Sequence, residues 1–199
     1  MLVTAALALT GCTASPEAEA TSPGPSASST EAGLSFAAGA SLDPSWRAQW
    51  ADPFTALPGF SIAQADDGDG SWAYRQDATG CVLGYWQGAV QGLDPAGGDR
   101  DASDQLLALQ FDGDVADVAD FIGDDVAFDS FTGPVQARSV AGADDQAAVT
   151  YIVAARAFAT LGSGLVATLR CPASIDVYAQ WRSLAADPGA FIAVVGPLG

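Results

Sequence analysis

Residues 71–90 read SWAYRQ, then DATG, then CVLGYWQGAV. The outer segments are rich in aromatic and β-branched residues and alternate in polarity. The four residues between them, Asp77-Ala78-Thr79-Gly80, have turn chemistry, so the stretch predicts a β-hairpin. Closing it there sets Gln76 opposite Cys81, Tyr74 opposite Leu83 and Trp72 opposite Tyr85. Side chains alternate across a strand, so one face carries Trp72, Tyr74, Cys81, Leu83 and Tyr85. The other carries Ala73, Arg75, Val82, Gly84 and Trp86. The first face is the more apolar and is expected to meet the core, with Cys81 inside it.

The same period of two recurs on both sides of this hairpin. Phe60-Ser61-Ile62-Ala63 reads as a strand, and Asp66-Asp67-Gly68-Asp69-Gly70 as the turn after it. Val135 to Val140 and Ala148 to Phe158 read as strands, with Asp144-Asp145 a turn between them. Gly162-Ser163-Gly164 is expected as a loop leading into a strand from Leu165 to Cys171, ended by Pro172. There Leu165, Ala167, Leu169 and Cys171 share one face, and Val166, Thr168 and Arg170 the other. Helical signals lie between the strands. Asp43-Pro44 predicts a short helix through Trp50, followed by turns at Asp52-Pro53 and Leu57-Pro58-Gly59. Asp101-Ala102-Ser103-Asp104 opens a helix to about Phe111, and Asp114 to Ile122 forms another. Ser174 caps a last helix whose stripe is Val177, Tyr178, Trp181, Leu184 and Ala185, stopped by Asp187-Pro188-Gly189. Phe191 to Val195 is a buried segment of open type. Together these elements predict an α+β domain over residues 34–199, an antiparallel sheet with helices packed on it.

Composition narrows the chemistry. The 199 residues carry 7 Lys+Arg against 24 Asp+Glu, no histidine, and a formal charge of −17. Every basic residue is an arginine, and the only glutamates are Glu17, Glu19 and Glu31. Serine–histidine and cysteine–histidine catalysis, Schiff-base lysines, P-loop lysines and histidine-ligated metals are therefore excluded. So acidic a chain repels phosphate backbones, so nucleic acid is not an expected partner.

Residues 2–9, LVTAALAL, form an apolar run of signal-peptide length, too short to span a bilayer. Leu9-Thr10-Gly11-Cys12 follows and resembles the lipobox of bacterial lipoproteins, in which the cysteine is lipidated and becomes the mature N-terminus. The resemblance implies a signal over residues 1–11 and a membrane anchor on Cys12 at the extracytoplasmic face. No basic residue precedes the apolar run, which departs from a signal peptide and implies a natural start further upstream. Residues 13–33 hold no apolar side chain larger than alanine and are expected to form a disordered tether, so that residues 12–33 link anchor to domain. Cysteine parity agrees: once Cys12 carries lipid, Cys81 and Cys171 remain as a disulfide pair in an oxidising compartment.

Candidate sites are few. An EF-hand loop from Asp67 would need glycine at position 72 and glutamate at 78, where Trp72 and Ala78 stand, so a polar turn is expected. Asp117, Asp120 and Asp124 share a helix face, read as solvated rather than metal-binding. Paired aspartates for glycoside hydrolysis are open in a chain this acidic, but nothing marks one pair. Gly162-Ser163-Gly164 lacks the spacing of a nucleophile elbow. Among the aromatics Trp72, Tyr74, Tyr85 and Trp86, the last falls on the second face. Trp86 with Arg75 is therefore the expected ligand contact if no helix covers that face. No catalytic residue, metal or cofactor is expected.

The segments Gly59-Phe60-Ser61-Ile62, Trp72 through Gln87 and Leu169 through Trp181 resemble the PsbP-like fold. Versions of that fold occur in small envelope lipoproteins of high-GC Gram-positive bacteria, including the LpqN type. The resemblance covers about a third of the folded part and carries over no functional residues. It implies an α-β-α sandwich and a binding or accessory role rather than catalysis. Three functions remain open. The first is a non-catalytic, lipid-anchored envelope module that binds an envelope protein, glycan or lipid. The second is a carrier of an apolar ligand or lipid. The third is an aspartate-dependent hydrolase of envelope polymers.

Overall fold

The hairpin forms in the expected register in the computed structural model, which describes residues 33–51, 54–66, 68–123, 126–130, 133–186 and 193–197. Strand β3 (Ser71–Gln76) pairs with β4 (Val82–Ala89) so that Tyr74 faces Leu83 and Trp72 faces Tyr85. The Gln76 amide donates to the Cys81 carbonyl at 2.8 Å. Gly80 closes the turn at φ 73, a left-handed conformation that favours glycine. Trp72, Tyr74, Cys81, Leu83 and Tyr85 are all buried, as their shared face required.

Strand β2 (Phe60–Gln64) continues the sheet beyond β3, and β8 (Ser163–Pro172) pairs with the other edge of β4. Then come β7 (Val149–Phe158), β6 (Val135–Asp144) and β5 (Val126–Phe128). The result is a seven-stranded antiparallel sheet in the order β2-β3-β4-β8-β7-β6-β5. The class is α+β, as expected. A separate two-stranded ribbon pairs β1 (Trp46–Trp50) with β9 (Ala193–Pro197).

Several local expectations are corrected. Residues 46–50 form a strand, not a helix. The Asp43 carboxylate accepts from the Ser45 amide in a tight turn instead of capping a helix. The sequence Trp46-Arg47-Ala48-Gln49-Trp50 alternates in burial with period two. Helix α2 (Gly98–Leu109) starts earlier than Asp101. The stretch from Asp114 breaks into α3 (Val115–Val118) and a 3₁₀ turn (Ala119–Phe121). The loop expected at 162–164 lies at Ala159–Leu161, with Gly162 left-handed at φ 61 and Ser163 already in β8. Helix α4 (Val177–Ala186) is capped by Asp176, which accepts from the Tyr178 and Ala179 amides, not by Ser174. Tyr178 leaves the expected stripe and is exposed. The lipobox Leu9-Thr10-Gly11-Cys12, the segment 13–32, Asp52-Pro53, Asp67, Asp124, Asp187-Pro188-Gly189 and Phe191-Ile192 lie outside the described residues.

Two apolar clusters sandwich the sheet. On the first face Leu83, Tyr85, Ile152, Leu165, Ala167 and Leu169 pack with Trp50 of β1, Phe128 of β5, and Val177, Trp181 and Leu184 of α4. On the second face Val140, Val153, Ala155 and Val166 pack with Ala102, Leu106 and Leu107 of α2. Cys81 and Cys171 form the disulfide at the first face, next to the Leu83–Leu169 pair. Val82 pairs with Arg170, so the two cysteines are themselves direct cross-strand neighbours.

A buried ion pair ties the N-terminal segment to this sandwich. Arg156 Nη2 donates to Asp99 Oδ2 at 2.7 Å, and both side chains are fully buried. Arg156 also donates to the Gln136 and Ser35 carbonyls, and its guanidinium lies over the Phe36 and Phe158 rings. Asp99 Oδ1 accepts from the Ala159 amide. Helix α1 (Phe36–Gly39) closes over the pair. A Cβ on Gly39 would collide with the Asp99 carboxylate and the Arg156 guanidinium. Gly39→Ala is therefore expected to cost about 1–3 kcal/mol through overpacking, read as a lower midpoint in urea; an unchanged midpoint would mean that α1 does not seal the pair.

Candidate functional site

The site follows from a mismatch of lengths. Strands β6, β7 and β8 have 10 residues each, about 33 Å. Helix α2 has 12 residues, about 18 Å, and packs mainly on β7 and β6. It cannot cover the second face along its whole length. Pairing registers order that face into rows. Val140, Val153, Thr168, Gly84 and Ala73 form one row across β6, β7, β8, β4 and β3. Gly142, Tyr151, Arg170, Val82 and Arg75 form the next, beyond the end of α2.

Over these rows lie two adjoining clefts. One, of about 620 Å³, is lined by Gln110 and Phe111, the Ala143–Gln146 turn, and Tyr151, Val153, Thr168 and Arg170. The other, of about 460 Å³, is lined by Phe111, Val118, Phe121, Val140 and Tyr151, with Asp117 at its rim. Phe111 and Tyr151 belong to both, with ring centroids 6.1 Å apart. Gly142 makes room for the second ring: a Cβ there would stand 2.6 Å from the Tyr151 hydroxyl oxygen. The result is an open groove with an aromatic floor and a polar rim.

Two of the rim carboxylates accept backbone hydrogen bonds, and Asp145 stands beside them. Asp144 accepts from the Gln146 and Ala147 amides, and Asp117 accepts from the Asp114 amide in a capping box. Asp99 is the buried aspartate that sequence reading did not mark. Burial pushes its carboxyl above the usual range, against the pull of Arg156 and the Ala159 amide. Burial likewise lowers the Arg156 guanidinium to about 10, against the pull of Asp99. Asp99 lines neither cleft, so this perturbation belongs to a structural pair. Among the described residues no group of three or more Cys, Asp or Glu is placed to hold a metal ion.

The structure does not bring Trp86 and Arg75 together. Trp86 sits opposite Ser71, four residues along β3 from Arg75, or about 13 Å. Its ring packs against the second apolar cluster, filling the space above Gly88 and Gly164. Its carbonyl accepts from Trp50 Nε1 at 2.9 Å. Arg75 is exposed and shares its row with Arg170 instead. No helix among the described residues is long and apolar enough to cross a membrane. Compared with protein-family models, curated proteins and solved structures, the chain matches none.

Proposed function

We propose that this protein is a non-catalytic binding module of the cell envelope, tethered by lipid on Cys12 at the extracytoplasmic face, and that its ligand occupies the groove over Tyr151 and Phe111. The groove itself carries the reading: over 600 Å³ of accessible space stands where a short helix leaves long strands uncovered. The disulfide fits an oxidising compartment. Helices α2 and α4 on opposite faces of one sheet are compatible with membership of the PsbP-like group, which is part of this proposal. Leu34 bridges to Val135 at the start of β6, whereas the groove lies over Ala141–Asp144 at its far end, some 20–30 Å away. Leu34 thus lies at the end of the sheet remote from the groove. The groove is open rather than enclosed, which favours docking an envelope component over carrying a ligand buried on all sides.

The anchor is tested by Cys12→Ala in the native host. The variant is expected to leave the membrane fraction and lose its lipid by mass spectrometry. A variant that still sediments with membranes would overturn the lipoprotein reading.

A further inference from the structure

In a chain of charge −17, two unpaired cations standing together on one sheet face are informative. Of the seven arginines, Arg138 pairs with Asp104, Arg156 pairs with Asp99, and Arg100 lies over Phe36. Arg47, Arg75, Arg170 and Arg182 are exposed and make no ion pair among the described residues; of these, only Arg75 and Arg170 share a sheet. Arg75 and Arg170 flank Val82 in one row of the second face, so their Cα atoms stand two strand spacings apart, about 10 Å. Both side chains rise from the same face, where two guanidinium groups can reach one anion above Val82. The carboxylate nearest Arg75 in the chain, Asp77, accepts from the Ser61 hydroxyl.

This cationic row runs into the groove, because Arg170 and Tyr151 are direct cross-strand partners and both line it. Beyond Tyr151 the surface turns apolar toward Phe111 and the exposed ring of Phe121. We infer that the site takes an anionic amphiphile: a phosphate headgroup clamped between Arg75 and Arg170, with its apolar chain lying over Tyr151 toward Phe121. The inference rests on the groove being the ligand site and adds the ligand's chemistry. Asp145, on the rim of the larger cleft, repels the headgroup, which places it at the β4–β8 side of Arg170 and the chain toward Phe121.

The test is calorimetric titration of the full chain carrying Cys12→Ala with three probes below micelle formation: decyl phosphate, 1-decanol and inorganic phosphate. Decyl phosphate is expected to bind about tenfold or more tightly than decanol, and inorganic phosphate not to bind at the same concentrations. Arg75→Ala and Arg170→Ala are each expected to weaken decyl phosphate about five- to tenfold and leave decanol unchanged. Tyr151→Ala is expected to weaken both amphiphiles; circular dichroism confirms that each variant is folded. Equal binding of the two amphiphiles, insensitive to both arginines, would overturn the anion clamp while leaving the groove as a binding site. Inorganic phosphate binding as tightly as decyl phosphate would overturn the apolar half. Binding of no probe to the folded chain would overturn the inference as a whole. The groove itself is judged separately, by crosslinking that uses none of these probes.

Discussion

Removing the Cys81–Cys171 bond, by Cys81→Ala with Cys171→Ala, is expected to be among the costliest changes this domain can suffer. The bond spans 90 residues of sequence, and restricting a loop of that length in the unfolded chain stabilises the folded one by roughly 4–5 kcal/mol. It also joins the two halves of the sheet. The meander β2-β3-β4 meets the meander β5-β6-β7-β8 through the β4–β8 pairing, and the disulfide sits at one end of that pairing. Chemical denaturation should show the unfolding free energy falling by about 4–5 kcal/mol, a large fraction of the roughly 5–15 kcal/mol that holds a domain. A loss under about 1 kcal/mol would mean that the unfolded chain is held compact by other means.

Arg156→Met is the second large effect. It leaves the fully buried Asp99 carboxylate without its cation and removes one donor each from the Ser35 and Gln136 carbonyls. Breaking a buried pair from one side costs about 3–5 kcal/mol at neutral pH. The loss has a pH signature. Burial already raises the Asp99 pKa in the folded state, and removing Arg156 raises it further. A carboxyl whose folded pKa exceeds its unfolded value stabilises the fold below the unfolded value, near 3.8, and loses that contribution as pH rises through the folded pKa. Arg156→Met should therefore lie closest to the parent near pH 4 and fall further behind as pH rises. Adding Asp99→Asn should recover part of the loss, because the stranded charge is gone. A pH-independent penalty, unchanged in the double variant, would locate the cost in packing against Phe36 and Phe158 rather than in charge.

Local chemistry made some of this structure legible and long-range assembly hid the rest. The β3–β4 register follows from a four-residue turn, so Tyr74–Leu83 and Trp72–Tyr85 are readable from residues 71–90. Cysteine parity and strand faces placed Cys81 and Cys171 on buried surfaces, and they meet there. Trp46–Trp50 reads as a helix because Asp43-Pro44 also fits a helix start, and its partner β9 lies nearly 150 residues on. The Asp99–Arg156 pair spans 57 residues, but a signal for it exists. Arg156 stands alone within the apolar strand Val153-Ala154-Ala155-Arg156-Ala157-Phe158, and a charge there demands a buried partner. The groove left no trace in sequence, since it arises where α2 stops short of three strands it packs against. The row joining Arg75 to Arg170 needs the β4–β8 register, set by sheet order rather than by any turn.

The central claim, that the second face of the sheet is the binding face, is tested most directly by photocrosslinking in the native host. A photoreactive phenylalanine analogue is placed at Phe121, exposed on the groove, or at Tyr178, exposed on α4 across the sheet. Both positions are solvent-facing, so neither substitution disturbs the core. The expected result is a discrete adduct with an envelope component from position 121 and none from position 178. Adducts from position 178 alone, or equal labelling from both, would contradict the assignment of the groove as the ligand site.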